Sequence, residues 1–399
     1  MSKRVLILCE AIAPPAFSPR VLTLAEYLLH NGWHCEILTE QCAEMPFQSD
    51  ICTIHQMPVY THLLADKLFY GKDKALYRYA KQHLDLQSFD IIFCSSYYYF
   101  PLYAAQLLSQ EYHIPLVVDL RDIAEQWGNT AYFTRKLTPF NKLNYWIGKI
   151  YEHRQLRVRN RILQNANIVT SISPWHQNVL AEYNANTHLI YNGYDADVFV
   201  PQDISCDYFY ITYLGKLYST QLRDPRLLFE ALQQLIQTKQ IDTQVVRVRF
   251  HTDSKGIQEI HELGKQYQIT DILDINGYIP RQDILPVMYS SSILLVLTTL
   301  STPNGTHGIM GTKFFENIGV EKPILCVRSD EECLADAIRK THAGLAATNV
   351  EEVKAFILEK YQEWRQNGYT RQAVVNKEQF SRQKQAQQFE QLFIETLKH

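Results

Sequence analysis

The sequence predicts an α/β protein built from two doubly wound, Rossmann-like parallel-sheet domains facing a cleft. Three observations carry this expectation. Short apolar runs alternate with helical patterns along the chain, the alternation falls into two successive series, and 399 residues that are 46% hydrophobic and 20% charged suffice for two cores. With only 15 Gly and 15 Pro, the composition excludes a disordered or fibrous chain.

The first series opens with the strand-like run Val5-Leu6-Ile7-Leu8, continues with a helical pattern through Leu22, Leu24, Ala25, Leu28 and Leu29, and returns to a strand at 35–38. Further apolar runs stand at 90–93, 115–118 and 168–171, with enough chain between them for crossover helices. Runs so continuously apolar suit parallel strands covered on both faces. The second series has runs at 210–214, 245–250, 272–275, 293–297 and 323–327. Between the series lie the turn signal Asn192-Gly193-Tyr194-Asp195 and the strand-breaking Pro201-Gln202-Asp203. The expected division is therefore 1–198 for the first domain, 203–375 for the second, and 376–399 for a closing helix with Phe389, Leu392 and Phe393 at helical spacing, packing back on the first domain.

Lys and Arg number 39 against 42 Asp and Glu, a net charge of -3, which disfavours nucleic acid as a partner. The eight Cys form no C-x-x-C and read as buried reduced thiols, as in a cytosolic protein. Glu10 cuts the first apolar run well short of a signal-peptide core, and no run approaches the roughly 18 apolar residues of a membrane span. A cytoplasmic protein is expected. One segment departs from the average: Arg135, Lys136, Lys142, Lys149, Arg154, Arg157, Arg159 and Arg161 face the single acid Glu152, interleaved with Tyr145, Trp146, Ile147, Ile150 and Tyr151. Two readings stand, a helix lying on an anionic membrane surface on the inner face of the plasma membrane, and a solvated helix whose aromatic stripe packs inward.

Chemistry concentrates in the second series. Gly305-Thr306-His307-Gly308-Ile309-Met310-Gly311 leads into a helix that starts near Thr312, read as its N-cap, so backbone N–H groups and a positive helix end gather there. Glu316, one turn in, is placed to accept hydrogen bonds from sugar hydroxyls; plain loop geometry explains the glycines equally well. Lys216 and Arg223 follow the strand 210–214, where two cations can clamp a diphosphate. Separately, each is an ordinary surface charge. No G-x-S-x-G elbow, Walker loop or zinc-helix motif competes.

Taken together these motifs resemble the group 1 glycosyltransferases, glycosyltransferase family 4, of GT-B fold. The resemblance rests on Cys9 to Leu29, Thr170-Ser171-Ile172-Ser173, Ile190 to Asp195 with Phe199, Gly215-Lys216-Leu217, Gly277-Tyr278-Ile279-Pro280, and Thr312-Lys313-Phe314-Phe315-Glu316 with Lys322-Pro323-Ile324-Leu325. It implies a retaining transfer of sugar from a nucleotide-diphosphate donor, bound by the second domain, to a glycan or lipid-linked acceptor held by the first, in cell-surface polysaccharide assembly. By position it assigns Lys216, Arg223, Gly311 and Thr312 to the donor diphosphate and Glu316 to its ribose, with His307 and Gly308 near the sugar. No cofactor is implied, and no metal, since cations and a helix end supply the charge.

Two departures accompany the resemblance. Relatives often carry a second Glu eight positions before the matched one, and here that residue is Gly308. Where many relatives carry a catalytic-site His, this chain has Arg121, flanked by Asp119 and Asp122. Asp122 is the candidate to orient or deprotonate the acceptor hydroxyl; a structural ion pair among Asp119, Arg121 and Asp122 is the other reading. Arg20, in a Pro-rich loop that replaces the usual glycine pair, is expected on the acceptor side, against a phosphate, an acidic acceptor or solvent. A nucleotide-sugar epimerase of the same fold and a non-catalytic binding subunit of a glycan-assembly complex are the alternative functions.

Overall fold

The computed structural model describes residues 2–10, 12, 19–42, 52–127, 140–220, 222–298, 305–327 and 332–398. Pro14 to Ser18 of the first loop and Arg135 and Lys136 of the basic segment lie outside them. Two compact units emerge, 1–192 with 382–399, and 193–381.

In the first unit the chain runs β1 (Arg4–Cys9), α1 (Pro19–His30), β2 (His34–Glu40), β3 (Thr53–Met57), α2 (Leu63–Phe69), α3 (Gly71–His83), β4 (Ile91–Ser96), α4 (Leu102–Tyr112), β5 (Leu116–Leu120), α5 (Asn141–Asn165), β6 (Ile168–Ser171), α6 (Pro174–Ala181) and β7 (Thr187–Leu189). The seven strands pair in the order β3-β2-β1-β4-β5-β6-β7, every pair parallel. Alternation along each strand divides the side chains between two buried faces, as a sheet covered on both sides requires. Val5, Ile7, Phe93 and Val117 pack with α1 on one face, while Leu6, Leu8, Cys94 and Val118 pack with α3 and α4 on the other. The strand order reverses between β1 and β4, and the residues that leave those strands, Glu10 and Tyr97, stand at that switch point.

The second unit runs β8 (Phe209–Leu214), α7 (Arg226–Gln237), β9 (Val246–His251), α8 (Ser254–Gln266), β10 (Leu273–Asn276), α9 (Ile284–Tyr289), β11 (Ile293–Leu297), α10 (Thr312–Gly319), β12 (Ile324–Val327), α11 (Cys333–Thr341), β13 (Gly344–Ala347) and α12 (Val350–Asn367). Its six strands pair in the order β10-β9-β8-β11-β12-β13, again all parallel. The switch point here lies between β8 and β11.

The chain passes into the second unit at Gly193, ahead of the expected division at 198–203, and that unit runs on to Ser381, beyond the expected 375. Tyr194 and Phe199 pack so closely on Gly319 of α10 that a Cβ there would meet each at 2.7 Å, and the Tyr194 amide donates to the Phe380 carbonyl at 3.0 Å. The return crossing follows Ser381. The last helix, α13 (Arg382–Thr396), lays Ala386, Phe389, Leu392 and Phe393 against α1 and Phe93 of the first unit.

Candidate functional site

In the second unit, Leu214 ends β8 and the chain turns through Gly215, whose φ of +149° belongs to the region only glycine occupies freely. The Gly215 amide donates to the His251 carbonyl at 3.0 Å, and the Tyr213 hydroxyl donates to the Lys216 carbonyl at 2.9 Å, fixing the turn that presents Lys216. Arg223 is held from the other side: its Nη1 donates to the Leu297 carbonyl at the end of β11, 3.0 Å away. Both line a cavity of about 240 Å³, together with Gly311, Thr312 and Lys313 at the start of α10. Three cations and no carboxylate stand on its described walls. Helix amides in the first turn have no acceptor within their own helix, so the cavity also receives N–H donors.

Several sequence expectations change in detail. The N-cap of α10 is Gly311, with no side-chain cap bond, and Thr312 is the first helical residue. Glu316 does not line the cavity; its carboxylate pairs with Lys313 Nζ at 3.3 Å, and Lys313 does line it. His307 and Gly308 turn instead toward Glu332: the His307 ring meets Glu332 Oε1 at 2.6 Å, and the Gly308 amide donates to Glu332 Oε2 at 3.2 Å. Gly308 has φ +64°, so a glutamate there would sit in a strained left-handed conformation. Sequence reasoning missed both Lys313 and Glu332. Lys313 was visible as a cation inside the quoted Thr312 to Glu316 motif, whereas nothing local ties Glu332 to a loop 24 residues earlier.

In the first unit, register explains the chemistry. Ser95 of β4, Asp119 of β5 and Thr170 of β6 are direct partners across three parallel strands, so their side chains form one row on one face. Ser95 Oγ donates to Asp119 Oδ2 at 2.9 Å, and Thr170 Oγ1 donates to Oδ1 at 2.7 Å. Arg20 of α1 lies over the same face, donating from Nη2 to Asp119 Oδ1 at 2.9 Å and from Nη1 to the carbonyls of Ile190 and Tyr191. Arg20 is 6% exposed and Asp119 fully buried. Two expectations are thereby corrected. Asp119 is saturated with structural partners, and Arg20 is a buried cation paired with it, not an exposed loop residue. The ion pair at this strand end joins Asp119 to Arg20, not to Arg121 or Asp122.

Arg121 and Asp122 follow β5. The Arg121 guanidinium stacks on the Tyr97 ring, 3.7 Å from its centroid, and Asp122 Oδ1 accepts from Gln126 Nε2 at 3.1 Å. Burial pushes Asp122 up to about 6, against the lowering effects of Gln126 and Arg121. Glu10 joins them from the end of β1, its Oε2 accepting from the Tyr97 amide at 3.4 Å; burial pushes it up to about 7, opposed chiefly by Arg121. Glu10 was legible as the acid ending an apolar run, yet its meeting with Arg121 depends on the strand order. Among the described residues no cluster of three or more His, Cys, Asp or Glu is arranged to hold a metal, and no helix is long and apolar enough to cross a membrane.

Residues 19–198 match the model of Glycosyltransferase Family 4. Over its full length the chain is similar in fold to several solved structures. A glycosyltransferase from Rickettsia africae is 15% identical with a TM-score of 0.65, covering 100% of this chain and 99% of that one. HepE of Anabaena in complex with UDP is 15% identical with a TM-score of 0.64, covering 98% and 100%, and the same protein is also solved with UDP-glucose. Sucrose-phosphate synthase from Thermosynechococcus elongatus is 16% identical with a TM-score of 0.63, covering 98% and 99%. No functionally curated protein matches the sequence.

Proposed function

We propose, from the GT-B fold and the match of residues 19–198 to Glycosyltransferase Family 4, that the chain is a glycosyltransferase that transfers a sugar, with retention of configuration, from a nucleoside-diphosphate donor bound in the second unit. The observation that carries this is the cavity where Lys216, Arg223 and Lys313 converge with the start of α10. Negative charge develops on the departing diphosphate, and three cations with helix amides offset it without a divalent ion. UDP is the first nucleotide to try, since UDP and UDP-glucose occupy HepE of Anabaena. A binding-only role or epimerisation would use the same cavity with no acceptor consumed.

The test is a thermal-shift screen against nucleoside diphosphates with and without EDTA, because a ligand of the folded state raises its melting temperature. A chelator-insensitive rise with UDP is expected. No rise with any nucleotide would overturn the reading.

Asp122 is the proposed acceptor base. Its carboxyl must be ionised to accept a proton, and its raised pKa lies near 6, so kcat should fall as pH drops through 6 and level off above 7. Asp122→Asn should lower kcat about 100-fold or more with UDP affinity unchanged; full turnover in that variant would remove the base role.

The acceptor is a glycan or lipid-linked glycan of surface-polysaccharide assembly, met at a membrane. Supporting this, the first half of α5 leaves Leu143, Tyr145, Trp146 and Ile150 exposed beside Phe140, and Lys142 and Lys149 flank them. In flotation assays the protein should rise with vesicles containing anionic lipid, and Trp146→Asp with Ile150→Asp should remain at the bottom. Equal flotation with neutral vesicles would refute the electrostatic part.

A further inference from the structure

Arg121 is 5% exposed, and among the described residues its Nε and Nη2 have no hydrogen-bond partner. Such a group is costly: a buried guanidinium retains its charge, and each unmet N–H forfeits the bond it had with water. Its acidic neighbours attract it without hydrogen-bonding its Nε or Nη2. Asp119 is committed to Arg20, Ser95 and Thr170, Asp122 is engaged by Gln126, and Glu10 by the Tyr97 amide. The stacking on Tyr97 leaves the guanidinium edge, with its planar donors, as the unsatisfied part. The group stands beside the switch point between β1 and β4, where doubly wound sheets take ligands, and Glu10, Tyr97 and Asp122 are only partly buried, so the cluster reaches solvent.

We propose that Arg121 is the receptor for an oxyanion, a phosphoryl or carboxylate group carried by the acceptor, and that this chain therefore selects anionic acceptors. A planar guanidinium pairs with either group through two parallel N–H···O bonds. The inference rests on the transferase reading for the word acceptor, though the anion site itself does not. Binding carries a proton signature. Glu10 faces Arg121, Lys72 and Asp122; an anion that neutralises Arg121 withdraws the attraction that holds Glu10 ionised, so Glu10 takes up a proton on binding.

Inorganic phosphate and acetate, titrated calorimetrically into the full chain saturated with UDP at pH 7 in two buffers of different ionisation enthalpy, provide the test. Saturating UDP occupies the cations of the second unit. One site is expected, with up to ~0.5 proton taken up when acetate, which stays fully ionised at pH 7, is the ligand, and Arg121→Gln should weaken it roughly 10- to 100-fold. Phosphate binding without acetate identifies a phosphorylated acceptor, and the reverse identifies a carboxylated one. Glu10→Gln, which leaves the guanidinium in place, should retain the site and lose the proton uptake, so the proposal stays testable even if Arg121→Gln does not fold. Absence of binding for both anions, or binding unchanged by Arg121→Gln, would overturn it. Failure of the wild-type chain to bind UDP would instead strike the donor reading.

Discussion

Lys216→Ala should weaken UDP binding by about 10- to 100-fold, the loss of one charge-assisted contact to a diphosphate, and Arg223→Ala should do at least as much. Arg223 is the stronger case because its Nη1 is already anchored on the Leu297 carbonyl. The side chain meets the diphosphate preorganised, whereas exposed Lys216 must give up rotamer freedom. Lysine in place of Arg223 keeps the charge and loses the fork that allows one nitrogen to anchor while another binds, so Arg223→Lys should recover less than half of the lost binding energy. The double variant should fall short of the sum, since both residues act on one ligand. Calorimetric titration of UDP at two ionic strengths reads all of this, the electrostatic share being the part that weakens with salt. Unchanged UDP affinity in both single variants would place the diphosphate elsewhere.

The second large effect is on stability. Asp119→Ala should cost the first unit about 3–5 kcal/mol, because it leaves the Arg20 guanidinium buried without its counterion and strips Ser95 and Thr170 of their acceptor. Breaking one member of a buried pair is more harmful than replacing both. Asp119→Leu combined with Arg20→Met should therefore recover much of the loss, with the Ile190 and Tyr191 carbonyls left as the residual deficit. Urea denaturation separates the two units. Trp33, packed edge-on against Phe393, reports on the first, and Trp364, the only tryptophan of the second, reports on the other. The Trp33 transition should move and the Trp364 transition should not. An Asp119→Ala chain as stable as wild type would refute the structural role.

What the sequence disclosed, and what it did not, follows burial. The central strands announced themselves as largely apolar runs, because most positions of a strand covered on both faces are buried; the exceptions include the Arg residues of β9 and the buried polar row of β4, β5 and β6. The three strands without such a run, β3, β7 and β13, are all edge strands. Thr53-Ile54-His55-Gln56-Met57, Thr187-His188-Leu189 and Gly344-Leu345-Ala346-Ala347 are only partly buried and show no continuous apolar signal. The donor-side cations were legible for a related reason: Lys216 closely follows a recognisable strand end and Arg223 closely precedes a helix start. Residues joined only by topology were not. Arg20 and Asp119 are 99 positions apart, and nothing local says that α1 lies over the row formed by Ser95, Asp119 and Thr170. The same holds for Glu10 and Arg121. Reading Arg20 as an outward-reaching loop residue was reasonable from a Pro-rich neighbourhood, and the structure assigns it to the interior because α1 begins at Pro19.

The route of the chain has a consequence for biosynthesis. The second unit is an insertion between β7 and α13 of the first. Until α13 has been made, Phe93 lacks the Phe389 and Phe393 rings that cover it, and the outward flank of α1 lies bare. At about 5–20 residues per second the ribosome needs roughly 10 to 40 s to produce residues 193–381. For that interval the nascent first unit displays an apolar face that α13 has yet to close, and the inserted unit has time to fold first. Synthesis of α13, rather than completion of β7, is thus the event that seals the amino-terminal core.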